Sequence, residues 1–162
     1  MRLLLSILAA LVLAPVVFAG PVLEIALPNG EVKTFSREEL ETLPQIEIAR
    51  KIGDQPERVY SGPAMEALLV KCGIPVGDKT KRELLRCVLL ATGADGYAVA
   101  VSMSEIDSSV ADGKVVVAVK RDHVDLPPEE GPLRLAVEKD HRPARWVKNL
   151  TRITVTEMGT GK

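Results

Sequence analysis

Lys114 to Lys120 reads Lys-Val-Val-Val-Ala-Val-Lys, and this run constrains the fold more than any other part of the chain. Consecutive β-branched residues are stiff at χ1 and pack well on a pleated surface, so the segment favours a strand. With no polar face, it has to be covered on both sides. A strand of that kind is the centre of a layered core, and its neighbours must supply the layers.

They do so as short strands interrupted by shorter helices. Val22 to Leu27 and Glu31 to Phe35 flank Pro28-Asn29-Gly30, and an Asn-Gly pair between two such runs predicts a hairpin. Ser36 with Glu39 spells a capping box ahead of a short helix that Pro44 ends. Ile46 and Ile48 alternate with Glu47 as a brief strand, broken by Gly53-Asp54-Gln55-Pro56. A second helix is expected from Pro63, with Met65, Leu68, Leu69 and Cys72 on one face and Gly73 as its stop. Arg86 to Ala91 and Tyr97 to Ser102 read as strands, and Ser102 with Glu105 opens a third helix. Arg121 to Pro132 is polar and proline-rich and reads as a long surface loop. Leu133 to Val137 returns to strand, Glu138 to Arg145 forms a second polar loop, and Leu150 to Glu157 is a final strand. The helices are too few and too short for regular crossover units, so the expected class is α+β with a mixed β-sheet core.

The first residues carry a different signal. Arg2, the apolar stretch Leu3 to Leu13 and the Val17-Phe18-Ala19 end have the order of a signal peptide over residues 1–19, with cleavage expected after Ala19. Pro15 and the following Gly20-Pro21, with no basic stop-transfer cluster, speak against a retained anchor. The expectation is one domain over residues 20–162, periplasmic or secreted, with no stable membrane anchor after cleavage. The formal net charge of −1 lacks the basic excess that nucleic-acid binding requires. Cys72 and Cys87 are even in number in an oxidising compartment, so a disulfide worth about 3 kcal/mol is open. Both lie in apolar segments, so two buried free thiols are equally open.

No phosphate loop, His-Glu-x-x-His or Gly-x-Ser-x-Gly pattern is present. What stands out is a basic and aromatic cluster near the C-terminus: Arg134, His141, Arg142, Arg145, Trp146 and Lys148. Guanidinium and ammonium groups on a loop make charge-assisted hydrogen bonds to phosphate or carboxylate. The bland reading has the arginines paired with Glu138 and Asp140, and Trp146 as a core or lid residue. Asp95-Gly96-Tyr97 can orient a ligand or serve as ordinary hairpin chemistry. His123 beside Asp122 and Asp125 reads as a surface histidine rather than a metal ligand.

The order of several segments carries a resemblance. Thr34-Phe35-Ser36 to Leu40 and Leu43-Pro44 come first, then Tyr60-Ser61-Gly62-Pro63 to Leu68-Leu69 and Gly73. Asp95-Gly96-Tyr97, Gly131-Pro132-Leu133-Arg134-Leu135 and Trp146-Val147-Lys148-Asn149-Leu150 follow. From Val22 to Val155 this resembles the oxidoreductase molybdopterin-binding domain of the sulfite-oxidase type, in its short, stand-alone exported form. In catalytic members a cysteine thiolate on an early strand binds molybdenum, and arginine and lysine of two late loops hold the pterin phosphate. The resemblance places Arg134 and Lys148 in the latter roles. The thiolate's place falls between Ile46 and Arg50, where this chain has no cysteine, and Pro143 stands where the catalytic family favours glycine. A soft thiolate is the protein's hold on the metal.

The resulting expectation is a non-catalytic module that uses no cofactor and binds a small anionic ligand or another exported protein. Its candidate ligand-binding residues are Arg134, Arg145, Lys148, Trp146, Asp95 and Tyr97. The rival is a molybdopterin-dependent oxidoreductase in which Cys87 ligates the metal in a rearranged site or the metal needs no protein thiolate.

Overall fold

The computed structural model describes residues 22–159 except residues 52 and 79. The signal segment expected over residues 1–19 therefore lies outside the described residues. The architecture is α+β, as expected: three sheets, the largest of mixed pairing and the other two antiparallel, with a few short helices.

β1 (Leu23–Ala26) and β2 (Val32–Phe35) form the hairpin that Asn29-Gly30 encodes, with Gly30 at φ 85°. α1 (Arg37–Thr42) carries the capping box in full, Ser36 Oγ accepting from Glu39 N and Glu39 reaching back to Ser36 N. β3 (Gln45–Arg50) follows and pairs antiparallel with β4 (Arg58–Pro63). The sequence reading missed β4, because Ser61-Gly62-Pro63 has turn composition. Pro63 thus closes a strand, and α2 (Met65–Lys71) begins two residues later than expected, burying Met65, Leu68 and Leu69.

A 3₁₀ turn at Arg82–Arg86 leads to β5 (Cys87–Gly93), β6 (Ala98–Ser102) and the capped α3 (Met103–Ile106). β7 (Val115–Ala118) is buried at every position, as its composition demands. Beyond Val119 the same stretch becomes β8 (Lys120–Arg121), which turns through Asp122 and His123, both at positive φ, into β9 (Val124–Asp125). The long surface loop expected over Arg121 to Pro132 is therefore partly a hairpin, and its later part is packed inward: Leu126 and Glu130 are buried. β10 (Arg134–Val137) is also buried throughout, a 3₁₀ turn spans Pro143–Arg145, and β11 (Leu150–Glu157) matches its expected span.

The largest sheet has the order β2-β1-β11-β5-β6, with β1 and β11 parallel and the other pairs antiparallel. A second sheet, β3-β4-β8-β9, and the pair β10-β7 meet along one line. Val119 N donates to Ser61 O at 2.8 Å, and Ala64 bridges Val116. β4 therefore keeps its ladder with β3 through Pro63, while its other edge meets β8 and then the chain that runs back into β7. This junction positions the site.

Cys72 and Cys87 are both free and buried, so the bridge left open by the sequence is not formed. Each packs in the hydrophobic core as a small apolar group, and burial pushes both thiols above their ordinary pKa. No helix among the described residues is long and apolar enough to cross a membrane.

Candidate anion-binding pocket

The register of the second sheet brings cations together. In the antiparallel β3–β4 ladder Arg50 lies opposite Arg58 and Ile48 opposite Tyr60, while β8 sets Arg121 opposite Tyr60. Residues directly opposite share a face, and residues two apart on one strand share it too. Arg50, Arg58, Tyr60 and Arg121 are therefore neighbours on a single face. That face forms one wall of a cavity of about 370 Å³. Arg134 at the start of β10 forms its floor, with Glu130 beside it, and Pro143, Trp146 and Lys148 come from the loop after β10.

Arg134 is the centre of the arrangement and is only 4% exposed. Its Nη1 lies 2.5 Å from Glu130 Oε2 and donates to Tyr60 Oη at 3.2 Å. Its guanidinium carbon sits 5.1 Å from the Tyr60 ring centroid and 5.4 Å from that of Trp146, and the two rings meet edge to face. Two aromatic faces thus stabilise the buried cation. Burial is the main cause raising the Tyr60 phenol above its ordinary pKa, so Tyr60 stays protonated. Arg121 Nη1 reaches the other oxygen of Glu130 at 2.7 Å, and Arg58 pairs with Asp122 at 2.9 Å. Among the described residues, five cationic side chains line the cavity, and Glu130 is the only acid in its lining. With Asp122 behind Arg58, the local balance is still strongly positive.

Of the residues singled out from sequence, Arg134, Lys148 and Trp146 line this cavity. Trp146 is buried under Arg134 and donates from Nε1 to Val137 O at 3.0 Å, so it supports the floor. Arg145 points elsewhere: it pairs with Asp140 and, at 2.9 Å, with Glu105. Asp95 Oδ1 accepts from Tyr97 N at 2.9 Å within the β5–β6 turn, and Tyr97 donates to Ala144 O at 2.6 Å. Arg145, Asp95 and Tyr97 therefore brace the outside of the loop that carries Trp146 and Lys148. His123 is exposed, 3.6 Å from Glu47. Sequence reasoning passed over Arg50, Arg58, Tyr60, Arg121 and Glu130. The available signal was the break Gly53 to Pro56, which, taken as a hairpin turn, sets Arg50 against Arg58.

The brace has a pH signature. Burial acts to raise the Glu105 carboxyl, but hydrogen bonds from Ser102 and the Arg145 guanidinium outweigh it and hold it below the ordinary 4.5. A depressed carboxyl contributes stability that is present above the unfolded value and lost as pH falls through the folded one. Unfolding midpoints measured from pH 6 to pH 3 should therefore fall more steeply below about 4.5 in the wild type than in Arg145→Gln.

The model of the oxidoreductase molybdopterin binding domain matches residues 33–160, and the chain belongs to that family. Among solved structures it is similar to the sulfane dehydrogenase SoxCD from Paracoccus pantotrophus, with a TM-score of 0.64 and 19% identity. The match covers 84% of this chain and 38% of the dehydrogenase chain, and at that identity it establishes the shared sulfite-oxidase-like fold. No curated protein matches the sequence.

The family implies a molybdopterin cofactor, and the donor set answers only part of that requirement. Arginine and lysine suit an anionic group. The metal is another matter: the cavity is lined by no cysteine and no histidine, and its one carboxylate is held by two arginines. Cys87, the ligand under the rival reading, opens β5 in the hydrophobic core and is absent from the cavity lining. Among the described residues no cluster of three or more His, Cys, Asp or Glu is placed to hold a metal ion.

Proposed function

We propose that this chain is an exported, non-catalytic member of its family that binds a small anion in the cavity above Arg134. The observation that carries the reading is a cavity lined by five cations and one already-neutralised carboxylate, with no sulfur or imidazole facing it. Such a lining attracts negative charge and disfavours a metal cation. At about 370 Å³ the cavity lies at the small end of the range of roughly 300 to 1,000 Å³ for ligand sites.

Thermal unfolding of the mature domain with inorganic phosphate and sulfate tests the reading, since a ligand that binds only the native state raises the midpoint. An upward shift that shrinks in Lys148→Ala, an exposed position, and in Arg134→Lys is expected. No shift with either anion would count against the reading. So would molybdenum at about one atom per chain in protein purified from a cofactor-making host, which would favour the rival oxidoreductase.

A further inference from the structure

Resting on that reading, we infer that Arg50 and Arg134 form a two-sided clamp for a compact dianion. Two side chains of this cavity carry a buried Nε–H with no hydrogen-bond acceptor, and they are Arg50 and Arg134. A buried donor without a partner is unfavourable, and native structures seldom leave one. Two in one cavity mark the place of an absent acceptor.

The geometry of each arginine sharpens this. Arg134 spends Nη1 on Glu130 and Tyr60, which leaves its Nε unused. A guanidinium edge that includes Nε meets two oxygens at once, as carboxylate and phosphate require. Arg50 forms no ion pair among the described residues, unlike Arg58 and Arg121. It also stands opposite Arg58 in the ladder, and like charges directly opposite destabilise a sheet. An unpaired guanidinium held against a second one, in a cavity that a third also lines, is what a doubly charged ligand would neutralise. Arg58 is answered by Asp122, and Arg121 shares Glu130 with Arg134. The charge left over resides on Arg50, Lys148 and the arginine pair on Glu130, more than a monoanion offsets.

Titration calorimetry on the mature domain at pH 8 and constant ionic strength reads this directly, with inorganic phosphate and succinate as dianions and acetate as the monoanion. Phosphate, succinate or both should bind at least about tenfold more tightly than acetate, and Arg50→Ala should remove at least about tenfold of that affinity. Arg50→Lys keeps the charge but loses the two-oxygen edge, and should recover only part of it. Phosphate alone binding places both Nε–H groups on one tetrahedral centre; succinate alone places them on two separate carboxylates; either outcome upholds the clamp. Acetate binding as tightly as the dianions overturns it, as does Arg50→Ala leaving their affinity unchanged, and in both cases the anion pocket itself survives. No binding by any of the three to the wild type removes the pocket and the clamp together. Without added anion, Arg50→Ala should unfold at the wild-type temperature or above, since it relieves the facing Arg58, and a lower midpoint would also overturn the clamp.

Discussion

Gly62→Ala is expected to destabilise the protein by about 3 kcal/mol or more, and to prevent folding at growth temperature if the margin is small. A methyl group there would sit 2.0 Å from Val117 O, 2.8 Å from Val117 C and 2.9 Å from Ala118 Cα. All three atoms are backbone, so no rotamer change relieves the overlap. The only relief is to part β4 from β7, and those strands are joined by the Val119-to-Ser61 hydrogen bond. Parting them also moves Arg58 and Tyr60, so any variant that survives should lose the anion response as well. Urea unfolding reads the stability change, with Gly159→Ala, whose added Cβ meets nothing within 4 Å, as the neutral control. An unchanged midpoint in Gly62→Ala would mean that the close approach of the two strands is not required.

Glu130→Gln should cost about 3 kcal/mol through a different cause. The Glu130 side chain is 11% exposed and that of Arg134 5%, so each charge has been taken out of water on the strength of the other. Removing the carboxylate's charge leaves Arg134 buried with only Tyr60 as a partial partner, and leaves Arg121 unpaired. Truncating one member of a buried pair is more damaging than replacing both, because the surviving charge has lost its compensation. Glu130→Gln with Arg134→Met should therefore recover part of the loss. In the single variant, saturating phosphate should restore more stability than it adds to the wild type. Equal midpoints for Glu130→Gln and wild type would show that the pair is not buried in the sense described.

Much of the fold is legible because local signals and burial agree. The Val-Ala run forces β7 into the centre, both capping boxes start the helices they promise, and the alternation of Ile153 and Val155 fixes the inward face of β11. The β4 strand was hidden because its last three residues, Ser61-Gly62-Pro63, are chosen for tertiary reasons. Gly62 lets one backbone touch another, and a requirement of that kind has no periodicity to betray it. The β8–β9 hairpin was hidden for a related reason: its turn uses Asp122 and His123 at positive φ, without the glycine that usually announces such turns.

The pocket was half legible. Clustering in sequence drew attention to Arg134, Trp146 and Lys148, which do meet, and to Arg145, which is neutralised by Asp140 and Glu105 on the other side of the loop. Charge density along the chain says nothing about which side of a loop a guanidinium faces. Arg50, Arg58 and Arg121 are scattered over seventy-odd positions of sequence and become neighbours only through strand register. Strand pairing is long-range information, so the wall they form could not be found before β4 itself was.

The parallel pairing of β1 with β11 has a consequence for how the molecule is made. Leu23 and Ile25, at the start of the described chain, find their cover beside Ile153 and its neighbours near the end. The opening hairpin has no β11 edge to dock on until Arg152 to Thr154 are in place. Contacts so distant in sequence make for slow, late closure rather than stepwise growth. The sheet is closed by a clasp whose two sides lie far apart in the chain, and any state in which it is open leaves an apolar face exposed to other chains.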